Sequence, residues 1–156
     1  MRSFADSLEI NTAKFLTTNA HIHVPAGTVP KDGPSAGIAL CIAIISAFKN
    51  NPAKQNVAMT GEITLNGKVL PIGGLKEKLL AAIRYGIKKV LIPEKNKGAF
   101  SELPVTIKRK IDVIFVSHLE DAVVHCFNLT NLSTENNLKT ELNINEQVSK
   151  ENLSVA

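Results

Sequence analysis

The chain has 156 residues, 44% hydrophobic and only 4% aromatic with no Trp, and 18 Lys and Arg against 14 Asp and Glu give a net charge of +4. That length suits one domain with an aliphatic core, and the scarcity of aromatic rings argues against a surface on which bases stack. No apolar stretch is long enough to span a membrane, and no signal-peptide pattern opens the chain.

In chain order, Met1 to Thr18 reads as a helix, with Phe4, Leu8, Ala13 and Leu16 roughly on one face. "HIHVP" from His21 alternates like a short strand ended by Pro25. "AGTVPKDGP" is a loop, since it holds two glycines and two prolines. Ser35 opens a helix to about Lys49, with Ile38, Cys41, Ile42 and Ile45 as its apolar face and "NNPAKQN" as its break. "VAMTGEITLNGKVLPI" reads as two strands around Asn66-Gly67, a hairpin signal in which both turn residues take positive φ. Gly73 and Gly74 lead into a helix from Leu75 to Tyr85, stopped by Gly86. "KKVLIP" is a buried strand, "EKNKGAFSEL" a short helix or loop, "DVIFV" from Asp112 a strand, and "HLEDAVVHCF" a last helix. The β-α-β stretch from Leu75 to Val116 predicts a parallel strand pair. The fold class is therefore α/β (α+β), with a mixed sheet, a hairpin and flanking helices. From Asn128 on, polar residues dominate, so residues 128–156 are expected to form a disordered tail behind a domain at residues 1–127. "NLT" at Asn128 and "NLS" at Asn131 are then chance matches to a glycosylation acceptor.

The titratable residues define few motifs. Cys41 and Cys126 sit in apolar runs, without metal-ligand spacing or a disulfide framework, and read as reduced core thiols in a cytosol-like compartment. His21, His23, His118 and His125 make no zinc pattern. No G-x-x-x-x-G-K-[ST] run is present, so there is no phosphate loop of that type. The basic residues from Arg84 to Lys110 are interrupted by Glu94, Glu102 and Asp112, which favours a solvated surface over a nucleic-acid footprint. Ser35 stands where the glycine-containing loop becomes an apolar run. A serine there can cap the helix, help bind an anion at the helix start, or act as a nucleophile if a base stands beside it. Lys76 and Lys78 flank the apolar stripe of Leu75, Leu79, Ala82 and Ile83. A lysine so placed either snorkels into water or, desolvated, becomes a general base. Periodicity does not choose between the two lysines, nor among the roles of Ser35.

Three segments settle the choice by resemblance. "HIHVPAGTVPKDGPSAGIA", "VAMTGEITLNGKVLPIGGLKEKLLAA" and "IKKVLIPEKN" resemble the C-terminal proteolytic domain of Lon, the ATP-dependent protease, from about His21 to about Phe127. The resemblance implies a serine-lysine dyad: Ser35 as nucleophile, and Lys78, the second lysine of "LKEK", as base. It implies that Thr60 in "MTGE" orients the lysine through a hydrogen bond to its amine, and that Asp32 belongs to the loop shaping the site. It further implies a serine endopeptidase acting on unfolded proteins or peptides, a homo-oligomer in the form of a six-membered ring, and a bacterial cytoplasmic location rather than the mitochondrial matrix. No cofactor is expected in this chain. ATP and Mg²⁺ belong to the family's ATPase module, which is not seen here, and the family's proteolytic domain has further strands before the region matching Met1 to Thr18, so the domain at residues 1–127 is expected to be shortened on its N-terminal side. Two other readings stand beside this one: a catalytically inactive remnant that keeps the fold, and an anion- or nucleic-acid-binding module that uses the "GPSAG" helix start and makes weak DNA contact.

Overall fold

The computed structural model describes residues 10–23 and 33–127. Helix α1 spans Lys14–Thr17, and a 3-10 turn at Pro34–Ala36 runs into α2 at Gly37–Lys49. The strands are β1 (Val57–Met59), β2 (Glu62–Ile63), β3 (Val69–Leu70), β4 (Lys89–Pro93) and β5 (Asp112–Val116). Helices α3 (Leu75–Arg84), α4 (Lys97–Ser101), α5 (Val105–Lys108) and α6 (Leu119–Cys126) complete the order.

The mixed strand content divides into two sheets. One is three-stranded with order β1-β4-β5, and the other is the antiparallel pair β2-β3. Both pairings of the larger sheet are parallel, with Val57 opposite Lys89 and Lys89 opposite Asp112. The parallel pair expected between Leu75 and Val116 is thus β4 with β5.

Alternation along the strands assigns the helices to faces. Leu91, Val116, Met59 and Ile114 belong to an apolar cluster with Ile38, Ile42 and Ile45 of α2 and Ala122, Val123 and Cys126 of α6. Val90, Ile92, Ala58 and Val113 join a second cluster with Leu75, Leu79 and Ala82 of α3 and Ile107 of α5. Successive strand side chains point to opposite faces, so α2 and α6 cover one face and α3 and α5 the other. This is a layered α/β arrangement that buries both faces of a parallel sheet.

Several local expectations are corrected. "VAMTGEITLNGKVLPI" holds three strands rather than two, because β1 leaves the hairpin to pair with β4. The hairpin loop has three residues, Leu65 to Gly67. Gly67 N–H donates to Thr64 O (2.9 Å) and Thr64 N–H to Lys68 O (3.0 Å). Gly67 has φ +78°, while Asn66 is not among the positive-φ residues. A type I turn closed by a left-handed glycine gives this three-residue loop, whereas a two-residue turn would need positive φ at both positions. The short helix α5 was not expected from the sequence. Described residues His21–His23 form no strand, since alternation alone gives no ladder without a neighbouring strand to bond. Of the N-terminal helix expected over Met1 to Thr18, α1 at Lys14–Thr17 is seen, and residues 1–9 lie outside the described residues, as does the tail at 128–156.

Cys126 is fully buried, and burial pushes its thiol up from 9.0 to about 11, with the charge of Lys54 opposing part of the rise. The folded state therefore holds this proton more tightly than the unfolded one. The associated stability is present in full below about pH 9 and is lost as pH rises towards 11. Urea midpoints measured from pH 8 to pH 11 should fall more steeply for the parent than for Cys126→Ala, although the variant starts lower because of its cavity. Equal slopes would show that the Cys126 thiol does not contribute.

Candidate active site

Ser35 lies inside the 3-10 turn ahead of α2 and does not cap the helix. Ala36 is the N-cap residue, and no side chain bonds there. The Ser35 hydroxyl instead accepts a hydrogen bond from the Lys78 amine, Nζ to Oγ 3.2 Å. Both side chains are half-buried, whereas Lys76 is exposed. Burial thus separates the two lysines that helical periodicity left equivalent.

The backbone of Ser35 is held as firmly as its side chain. Its carbonyl accepts from Gly61 N–H at 2.8 Å and from the Thr60 hydroxyl at 3.2 Å. Gly61 O in turn accepts from Ile38 N–H at 3.1 Å, and Thr60 N–H donates to Leu91 O at 3.1 Å. The corner after β1 therefore ties the start of α2 to the centre of the sheet. Thr60 is buried, and its hydroxyl donates to the Ser35 carbonyl, not the Lys78 amine, so it holds the serine's backbone. Asp32 lies outside the described residues.

Ser35, Thr60 and Lys78 line one cavity of about 330 Å³. Its other walls are mostly small: Ala36, Ala39, Ala58, Ala81 and Ala82. The arrangement sets a hydroxyl beside an amine at a cleft with mostly apolar walls. Among the described residues, no group of three or more His, Cys, Asp or Glu is placed to hold a metal ion. His21 and His23 lie along a different cavity, beside α2. Of the basic residues, Lys89 pairs with Asp112 at 3.9 Å and Lys97 with Glu94 at 2.7 Å.

Comparison with known proteins agrees with this architecture. Residues 1–129 match the model of the Lon protease (S16) C-terminal proteolytic domain. A Lon protease of Desulfatibacillum aliphaticivorans is 52% identical over 122 residues, covering 78% of this chain and 15% of that protein. Lon proteases of Buchnera aphidicola and Vibrio parahaemolyticus are each 54% identical over 123 residues, covering 79% of this chain and 16% of theirs. The fold and the matched segments place the chain among α/β proteolytic domains. It belongs to the Lon protease C-terminal proteolytic domain family. The chain spans 15–16% of the length of these curated relatives. Among the described residues, no helix is long and apolar enough to cross a membrane.

One buried polar residue carries no signal of its own in the sequence: Asn96, which bonds across 24 positions to Ile72, two residues before the lead-in glycine of α3. Nothing local in "EKNKG" announces that partner. Gly61 carried a signal only as part of "MTGE". A Cβ added to it would meet Ile38 Cδ1 and, at 2.9 Å, Val69 Cγ1. Gly61→Ala should therefore cost about 1–3 kcal/mol by overpacking, read as a lower denaturant midpoint at unchanged slope. A midpoint equal to the parent's would show that the corner has slack.

Proposed function

We propose that the chain is a serine peptidase domain whose nucleophile is Ser35 and whose general base is Lys78. The observation that carries this is the 3.2 Å contact between Lys78 Nζ and Ser35 Oγ at an alanine-walled cavity. In its neutral form, the Lys78 amine accepts the Ser35 proton along that contact. Ser35 Oγ attacks the scissile carbonyl, and the charged Lys78 gives the proton to the leaving amine. Water then attacks the acyl-enzyme, with Lys78 again taking a proton, and Ser35 is regenerated. Thr60 is a positioning residue in this scheme, since it fixes the Ser35 backbone. The Gly37 and Ile38 amides already bond to Pro34 O and Gly61 O, so the oxyanion must find other donors.

The substrate class is an extended peptide or an unfolded protein segment. The 156 residues hold no phosphate-loop motif, so peptide cleavage by this chain should need no ATP. The family's ATP and Mg²⁺ would serve a separate unfolding module. The same reading extends to a ring of six copies in a bacterial cytoplasm, as the family resemblance implies.

The test is hydrolysis of a fluorogenic unstructured peptide without ATP, together with Ser35 labelling by a fluorophosphonate. Lys78→Ala should slow both by about 10²–10⁴-fold, the usual worth of a general base, while Lys76→Ala should leave both close to the parent. A folded parent that neither cleaves nor labels would replace this reading with an inactive remnant of the fold.

A further inference from the structure

Two polar side chains are buried among the described residues, Thr60 at 7% exposure and Asn96 at 6%. Burying a polar group costs stability unless its hydrogen bonds are replaced, so the partners of such a group say what it does. Thr60 bonds to Ser35. Asn96 bonds to Ile72 with both ends of its amide: Oδ1 accepts from Ile72 N–H at 3.0 Å, and Nδ2 donates to Ile72 O at 2.9 Å. The side chain thus pairs with one backbone residue as a neighbouring strand would.

The position of Ile72 gives this pairing its consequence. It precedes the Gly73-Gly74 lead into α3, and Lys78 N–H donates to Gly74 O at 3.1 Å in the first turn of that helix. Asn96 also forgoes a local use. It is the N-cap residue of α4, where an asparagine ordinarily bonds the first free amides of its own helix, yet no side-chain cap bond forms. The amide serves the lead-in to α3 instead. Packing of Leu75 and Leu79 against the sheet holds one side of α3, and Asn96 pins its entry.

We propose that Asn96 is a positioning residue for Lys78: by clamping Ile72 it sets where α3 begins, and so where the Lys78 amine meets Ser35 Oγ. The proposal rests on the serine-lysine reading above. A displacement of about 1 Å in a reacting group costs on the order of 100-fold in rate, so a loosened lead-in should appear in the chemistry before it appears in the fold.

The test measures the rate of Ser35 labelling by a fluorophosphonate on the full chain, for the parent, Asn96→Ala, Asn96→Asp and the two Asn96 variants combined with Lys78→Ala. Asn96→Asp keeps the acceptor for Ile72 N–H and loses the donor to Ile72 O, so it serves where Asn96→Ala does not fold. Ile45→Val, a core change at the far end of α2, is the control for stability loss alone. The expected result is a labelling rate lowered about 10- to 100-fold by either Asn96 change, against less than 2-fold for Ile45→Val at a matched melting temperature. In the Lys78→Ala background the Asn96 effect should vanish, because both changes act through one group. Faster hydrogen exchange at the Ile72 amide should accompany the loss. Full multiplication of the two effects, or a rate that simply follows melting temperature, overturns the positioning role and leaves the dyad intact. A parent that does not label, or a Lys78→Ala chain that labels at the parent's rate, overturns the dyad and this proposal with it.

Discussion

The site depends on the two hydrogen bonds that converge on the Ser35 carbonyl. Gly61 N–H and the Thr60 hydroxyl both end there, and Gly61 O returns a bond to Ile38. These contacts join a turn to the corner of a strand that is itself bonded to Leu91 in the sheet centre. Ser35 hence inherits the rigidity of the sheet, although it stands in a turn before a helix. Hydrogen bonds of this kind contribute about 1 kcal/mol each to net stability. Their larger effect is to leave the serine one backbone position.

Lys78 reaches the same point from the other face of the sheet. Helix α2 packs on the face carrying Leu91, and α3 on the face carrying Val90 and Ile92. Side chains on opposite faces of a sheet ordinarily cannot touch through it. Among the described residues β1 is the end strand in the order β1-β4-β5, and the two side chains meet at its margin, beside Ala58 and Met59. The cavity reflects this: its lining includes Ala36 and Ala39 of the α2 side, Ala58 and Met59 of β1, and Ala81 and Ala82 of α3. The register of a short strand, Val57–Met59, therefore decides whether serine and lysine face one another.

Much of this was legible in the sequence, and the exceptions share a cause. Periodicity located α2, α3 and α6 and the buried strand β4, and Asn-Gly marked the hairpin. Those signals are local. The capping role considered for Ser35 is also a local rule, and it failed because the hydroxyl has a partner 43 positions away. Lys76 and Lys78 have the same helical pattern; the family motif singles out Lys78, and tertiary burial separates the two in the fold. Thr60 was expected against Lys78 and bonds instead to Ser35. Asn96 sits where an ordinary cap would be read, yet its partner is Ile72. In each case a polar side chain with an available local use bonds instead to a distant backbone or side-chain atom, and periodicity or capping rules do not record such a diversion.

The alanine walls follow from the same geometry. Five alanines around a cavity of about 330 Å³ leave unfilled a volume that larger side chains could occupy. Protein interiors are normally close-packed, and filling a void is an easy route to stability. Here filling it would crowd Ser35 and Lys78, which both line the cavity. Small residues at Ala58 and Ala81 leave room between β1 and α3 for the Lys78 amine to reach Ser35 in the turn ahead of α2. The cavity is thus coupled to the dyad: the spacing that brings the two side chains within 3.2 Å is the spacing that keeps the walls short. Under the proposed serine-lysine reading, stability forgone in packing is the physical counterpart of an accessible hydroxyl.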